Sequence, residues 1–332
     1  MDSAVKPRLQ WLDVMKGLGI IAVVAGHVAD TRFAYVFHMP LFFIISGFLM
    51  KAGRYTDAGM LRHNALRLLV PYFVFLLIFY VPEALHAIRK GQDLPGLELL
   101  YGGSMLQGRL TVFWFITVLF LSSWIFNFML NRGWLSAFLF VGILFAGYVV
   151  GYKHVDLPWA AHVVPMAVFY LWIGNRSALL YGKLMAVSWP RIYAWIIAAL
   201  IIASFVVAWI WRGNLAMDMK VGYYGIPVLS VAFSIWLTFC IAIVSMWICR
   251  TRHLGSVLAL IGEASLIIMF LHMAIHRTMH TLPWCITIVP AIAIPLLIYV
   301  IVKRYPLTSL LFLGVRKTGK ASGGKINDSK PK

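Results

Sequence analysis

The chain has 332 residues, of which 62% are hydrophobic and only 12% are charged. Soluble domains carry about 25% charged residues, so this composition excludes a soluble globular protein. The formal net charge of +18 comes from basic residues that lie between apolar stretches, which is the distribution that membrane topology favours. We therefore expect membrane lipids, and no nucleic acid, among the partners of the chain.

Apolar stretches long enough to cross the hydrocarbon core of a bilayer recur along nearly the whole chain. They predict an all-α polytopic membrane protein with about ten transmembrane helices. The predicted spans lie near residues 12–29, 36–50, 68–88, 111–130, 135–152, 159–180, 192–211, 224–248, 257–275 and 284–302.

The connections between these spans carry more Lys and Arg on the side of the N-terminus than on the opposite side. This asymmetry predicts that both termini are cytoplasmic. We assign residues 1–310 to one transmembrane domain and residues 311–332 to a basic, disordered tail, because the end of the chain has almost no large apolar residues.

The first predicted span carries three polar residues, Asp13, Lys16 and His27, in an otherwise apolar stretch. A polar residue inside a membrane span is costly and normally has a partner, a water-filled cavity or a function. At 100° per residue, Lys16 and His27 lie within about 20° of the same helix face, and Asp13 lies within about 40° of His27. Lys16 and His27 are separated by about 16 Å along the helix axis. The pattern predicts a polar path through the bilayer along one face of this helix.

Further histidines fall at the same predicted depth as His27. His38 begins the second span after a short turn, and His272 and His276 lie near the outer end of the ninth span, four residues apart on one helix face. We predict that His27 and His38 line one cavity and that the outer half of the bundle collects His27, His38, Glu83 and His272. A bis-histidine haem protein is an alternative interpretation of the paired histidines. The three cysteines are scattered and form no metal motif, and we expect no metal site.

Positive charge collects in the opposite, inner half of the predicted bundle, at Lys16, Arg62 and Arg67, with Lys51 and Arg54 nearby. Guanidinium and ammonium groups suit phosphate oxygens. A basic mouth that a polar helix face joins to imidazoles suits an elongated donor, with phosphates at one end and a reactive group at the other. Coenzyme A thioesters have this layout, and the axial gap of about 16 Å is comparable with their reach.

Five motifs follow one another along the chain. They are Trp11-Leu12-Asp13-x-x-Lys16-Gly17 with His27, Pro40-Leu41-Phe42-Phe43-Ile44-Ile45-Ser46-Gly47-Phe48, Arg62 and Arg67 before Pro71-Tyr72, Trp114-Phe115-Ile116, and Gly262-Glu263-Ala264-Ser265-Leu266 with Phe270-Leu271-His272. Together they resemble the acyltransferase-3 family of integral-membrane acyltransferases over about residues 8–302. The His38-Met39-Pro40 variant resembles the fucose 4-O-acetylase-like branch of polysaccharide O-acetyltransferases.

The resemblance implies a membrane O-acetyltransferase of the bacterial inner (cytoplasmic) membrane. Its donor would be cytoplasmic acetyl-CoA, and its acceptor would be a sugar hydroxyl of a surface polysaccharide or of the lipid-linked oligosaccharide precursor. An unactivated hydroxyl needs a base, and an imidazole serves at neutral pH, so His27 would act at the reacting centre as general base or acyl carrier. The predicted site residues are His27, His38 and His272 for catalysis and Asp13, Lys16, Arg62 and Arg67 for donor binding.

One position departs from the family, which commonly has Arg where this chain has Lys16. Lysine keeps the positive charge but loses the planar bidentate fork. A transporter or flippase of a polyprenyl-linked glycan stays the alternative function, because it would also need a basic inner mouth and polar residues at depth. Consumption of the thioester separates the two functions, since a flippase without transferase activity releases no free CoA.

Overall fold

The computed structural model describes residues 9–91, 96–185 and 191–316. Within these ranges the chain is helical and contains no strand, which confirms the predicted all-α class. The helices are α1 (Gln10–Val28), α2 (His38–Leu49), α3 (Asp57–Asn64), α4 (Val70–Arg89), α5 (Leu97–Tyr101), α6 (Trp114–Asn131), α7 (Ala137–Tyr152), α8 (Val164–Met185), α9 (Arg191–Ile210), α10 (Arg212–Leu215), α11 (Leu229–Cys249), α12 (Arg252–Glu263), α13 (Ser265–Thr278), α14 (Trp284–Val302) and α15 (Pro306–Leu313).

Six helical segments of the described residues are long and apolar enough to cross a membrane, or seven if the bent pair α12 and α13 forms one span. They are Gln10–Val28, Asp57–Arg89, Gly108–Asn131, Pro158–Tyr181, Leu229–Cys249 and Trp284–Val302. Three shorter apolar helical segments, His38–Leu49, Ala137–Tyr152 and Ala194–Ile210, coincide with other predicted spans. The chain is thus a multi-pass membrane protein, while the count of ten spans and the orientation of the termini stay predictions.

Helix α1 lies at the centre of the bundle and contacts α2, α11, α12, α13 and α14. Most of its apolar positions are buried, Val14 and Val24 completely, and Asp13 is buried with them. A helix surrounded in this way has little surface on which its polar residues could reach lipid headgroups. Its polar residues must therefore find partners or cavities inside the bundle.

Glycines set the closest helix contacts in the bundle. A Cβ on Gly17 would overlap the carbonyl of Leu258, and a Cβ on Gly262 would overlap the carbonyl of Asp13, so these two glycines let α12 lie directly against α1. Small residues allow membrane helices to approach this closely. Since the chain bends by 75° between α12 and α13, the contact brings Glu263, at the bend, to the polar face of α1.

The last described helix, α15, packs against α4 and ends at Leu313. Gly314 follows with a φ of +63°, a left-handed conformation that suits glycine, and lies against the backbone of Arg67. The helix therefore continues slightly past residue 310. Residues 317–332, most of the predicted tail, lie outside the described residues, and the division of the chain at 310 stays a prediction.

Candidate active site

Three of the predicted site residues form a histidine cluster, which we define as His27, His38 and His272. His27 lies at the C-terminal end of α1, His38 begins α2, and His272 lies on α13. The ring centroid of His27 is 5.4 Å from that of His272 and 6.5 Å from that of His38. His38 is 2% exposed and His272 is fully buried, while His27 is half-buried. Among these imidazoles, His27 is therefore the one that a substrate can reach.

Backbone carbonyls fix the tautomers of the two buried histidines. His38 Nδ1 lies 2.6 Å from the Ala34 carbonyl oxygen, and His272 Nδ1 lies 2.9 Å from the Ile268 carbonyl oxygen. A carbonyl can only accept, so each Nδ1 carries the proton, and Nε2 of the neutral ring keeps its lone pair. His272 Nε2 is buried and has no hydrogen-bond partner among the described residues. Its lone pair lies beside the His27 ring and can stabilise a positive charge that develops there.

Tyr35 is a component of the cluster that sequence reasoning missed. Its hydroxyl lies 3.1 Å from Nδ1 of His27, and its ring lies edge-on to both His27 and His38, at 5.7 and 4.9 Å. Burial raises the pKa of Tyr35 to about 12, so the phenol stays protonated at neutral pH. With Nδ1 of His27 held by this hydroxyl, Nε2 is the nitrogen that remains for chemistry.

The other predicted site residues lie toward the N-terminal end of α1, around a cavity of about 640 Å³ that we call the basic cavity. Lys16 and Asp13 line it and form an ion pair at 3.1 Å. Arg67 also lines the basic cavity, whereas Arg62 is exposed on α3 and is not part of its lining. The structure therefore joins three of the four predicted donor-binding residues and leaves Arg62 apart.

Further charged residues complete the basic cavity. The basic side chains that line it are Lys16, Lys51, Arg54, Arg67 and Lys303, which outnumber the acidic ones, Asp13 and Glu263. Glu263 accepts hydrogen bonds from Tyr299 at 2.7 Å and from Lys303 at 2.6 Å. The hydrogen bond to Glu263 also raises the pKa of Lys303, so this ammonium group stays charged at neutral pH. The cavity therefore presents a net positive charge.

His27 opens onto a second cavity, of about 970 Å³, which we call the histidine cavity. Its polar lining residues are His27, Tyr80, Glu98, Gln107, Arg109, His276, Arg277 and His280. Val23 lines the basic cavity, and His27, four residues later on α1, lines the histidine cavity. Four residues of helix span about 6 Å, so one turn of α1 separates the two cavities.

This arrangement places two cavities, one basic and one with an accessible histidine, within one helical turn of each other, as the transfer of a group between two molecules requires. A phosphate-bearing molecule in the basic cavity and a second molecule in the histidine cavity would meet at one turn of α1, beside an imidazole. Among the described residues, no group of three or more His, Cys, Asp or Glu side chains has the arrangement of a metal site.

Comparison with known proteins adds one match. A family model described as an acyltransferase domain matches residues 9–312, which is nearly the whole chain. No curated protein and no solved structure matches the chain.

Proposed function

The chain belongs to the acyltransferase-3 family and is a membrane acyltransferase, and we propose that it transfers acetyl from acetyl-CoA to a sugar hydroxyl. The family is the one that the sequence motifs resemble. We propose further that the chain belongs to the fucose 4-O-acetylase-like branch of that family, on the His38-Met39-Pro40 variant. The acceptor is a surface polysaccharide or its lipid-linked precursor, and the protein lies in the bacterial inner membrane.

The basic cavity is the proposed donor site. It faces the cytoplasm, where acetyl-CoA is found, in agreement with the predicted orientation of the chain. Ammonium and guanidinium groups at Lys16, Arg54 and Arg67 contact phosphate oxygens of the nucleotide, as charge-assisted hydrogen bonds favour. The pantetheine arm then extends along α1 past Val23 toward His27.

The histidine cluster is the proposed reacting centre. Nε2 of His27 takes the proton from the acceptor hydroxyl, and the hydroxyl oxygen attacks the carbonyl carbon of the thioester. The C–S bond breaks, the acetyl ester forms, and the imidazolium returns its proton to the CoA thiolate. Tyr35 accepts a hydrogen bond from Nδ1–H of His27, and the lone pair on Nε2 of His272 stabilises the transient imidazolium.

One observation carries this proposal: a single turn of α1 separates a basic cavity from a cavity that contains a histidine. A donor and an acceptor that enter from opposite sides would meet at that turn. The close placement of two substrates accounts for a large part of the barrier reduction in transfer reactions.

Transfer of label from acetyl-labelled CoA to extractable glycolipid or polysaccharide tests the proposal. The assay uses membranes that contain the native glycan and equal amounts of wild type, His27→Ala or the control His86→Ala. His86 is exposed on α4 and lines neither cavity. We expect transfer by the wild type and by the control and none by His27→Ala. Full transfer by His27→Ala removes His27 from the chemistry, and no transfer by the wild type contradicts the proposed reaction.

A further inference from the structure

Two arginines line the histidine cavity. Arg109 lies in the helical turn Gly108–Leu110, and Arg277 lies in the last turn of α13. Neither guanidinium forms an ion pair within the described residues. Glu98 is the acidic residue among the cavity's lining residues, so positive charge exceeds negative charge there.

The two arginines come from elements that pack against each other. The turn Gly108–Leu110 contacts α13, and Gly108 has a φ of +67°. A Cβ at Gly108 would lie 3.5 Å from a terminal nitrogen of Arg277, so the guanidinium rests against the backbone of the turn. Lys220 holds this loop by donating hydrogen bonds to the carbonyl of Leu106 at 2.8 Å and to the hydroxyl of Thr111 at 2.9 Å. The loop that carries Arg109 is therefore held in place by hydrogen bonds, and Arg277 packs against it.

A third group in the same cavity lacks a partner. Nδ1 of His276 is buried and makes no hydrogen bond among the described residues, and the side chain lines the histidine cavity one helical turn beyond His272. Leaving a buried polar atom without a partner is costly, and such atoms are rare in folded proteins. Although Nδ1 itself is closed off, the His276 ring adds a polar group to the cavity lining beside Arg277.

We propose that the acceptor carries an anionic group, a carboxylate or a phosphate, which Arg109 and Arg277 bind in the histidine cavity. This inference rests on the proposed function, because it takes the histidine cavity as the acceptor site. Guanidinium groups are the side chains best suited to carboxylate and phosphate, since their planar fork donates two parallel hydrogen bonds. A sugar acid and a sugar phosphate share this chemistry, and both offer hydroxyls that His27 could deprotonate.

Binding of three matched hexoses tests the inference without any transfer reaction. The probes are methyl glucoside, which is neutral, methyl glucuronide, which carries a carboxylate, and glucose 1-phosphate. Binding is measured by saturation-transfer NMR on the full-length protein in nanodiscs of neutral lipid. We expect at least one charged probe to bind about 10-fold more tightly than the neutral one, because charged hydrogen bonds are the strong ones. Whichever charged probe binds better identifies carboxylate or phosphate as the source.

The double variant Arg109→Gln/Arg277→Gln should lose this preference, and the control Arg89→Gln should keep it. Arg89 is exposed at the end of α4 and lines neither cavity. Equal binding of neutral and charged probes, no binding of either charged probe, or a preference that survives in the double variant would each overturn the inference.

A transfer assay separates this inference from the proposed function. With labelled acetyl-CoA and native glycan, the double variant should raise the half-saturating acceptor concentration about 10-fold and leave that of acetyl-CoA unchanged. A wild type that prefers charged probes but transfers no acetyl would contradict the proposed function and leave the anion site intact. A wild type that transfers acetyl and binds all three probes alike would contradict the anion site and leave the proposed function intact.

Discussion

Removing a single hydroxyl, by Tyr35→Phe, tests whether the histidine cluster works as described. The substitution deletes the group that lies 3.1 Å from Nδ1 of His27 and keeps the aromatic ring that contacts His27 and His38. Packing around the histidines is therefore preserved. The change acts mainly on the hydrogen bond that orients the His27 ring.

The size of the effect follows from the charge on His27 during the reaction. When Nε2 takes up a proton the ring becomes cationic, and Nδ1–H then donates a charged hydrogen bond to the oxygen of Tyr35. Such a bond contributes about 1.5–3 kcal/mol, which corresponds to a loss in kcat of roughly 10- to 150-fold. The KM for acetyl-CoA should not change, since Tyr35 is absent from the lining of the basic cavity.

The assay is acetyl transfer from labelled acetyl-CoA, with kcat and KM determined separately for wild type, Tyr35→Phe and Tyr152→Phe. Tyr152 is 85% exposed at the end of α7 and serves as the matched control. An unchanged kcat, or an effect confined to KM, would refute the positioning role of Tyr35.

Three further predictions concern the basic cavity and its support. Lys16→Gln should raise the KM for acetyl-CoA about 10-fold, while Lys16→Arg should keep it near the wild-type value, because the positive charge of the side chain binds the donor phosphate. Equal KM values for the two variants would contradict this prediction. Gly262→Ala should lower stability by about 1–3 kcal/mol through overpacking, seen as a lower Tm, with Gly142→Ala, which meets no atom within 4 Å, as the neutral comparison. The hydrogen bond to Glu263 raises the pKa of Lys303 in the folded protein. The stability that this bond gives to the fold is therefore complete below the ordinary lysine pKa of about 10.4, and it is lost only as the pH rises through the raised pKa of the folded state. Lys303 should therefore stay charged from pH 7 to pH 9, so its titration should not change the KM for acetyl-CoA over that range. A KM that rises between pH 7 and pH 9 in the wild type but not in Lys303→Met would contradict this prediction.

The sequence was enough to predict what helix geometry determines locally. The period of α1 places Asp13 and Lys16 on one side of a central helix, in the basic cavity, with His27 about 16 Å farther along. The short connection to His38 limits how far that imidazole can lie from His27. These relations depend on backbone spacing alone, which is why they could be derived without knowing how the helices pack.

The positions of side chains that depend on how the helices pack could not be predicted from the sequence. Tyr35 lies in the 3-10 turn Ala34–Val36, whose three residues are too few to show a helical period from which the direction of the side chain could be deduced. Lys303 follows α14, far from α1 in sequence, and it lies in the basic cavity with a hydrogen bond to Glu263 at the bend between α12 and α13. Arg62 and Arg67 look equivalent in sequence, but the π-helical turn Ala65–Leu69 lies between α3 and α4, so the local winding departs from the α-helical period. A change of winding of this kind alters which residues share a face.

The placement of both cavities on one helix has a mechanistic consequence. A rigid helix fixes the distance between Lys16 and His27, so on the proposed function the length of the donor arm would itself select which carbonyl reaches His27. A shorter thioester anchored at Lys16 would stop before the last turn of α1, and a free acyl group would have no anchor at all. Because His38 and His272 are buried, His27 is the imidazole of the histidine cluster that a substrate can reach. An acceptor that fills the histidine cavity would displace water from His27, and exclusion of water favours transfer to a sugar hydroxyl over hydrolysis of the thioester. On the proposed function, the fit of the acceptor to the histidine cavity would therefore decide between transfer and hydrolysis as much as it decides the rate.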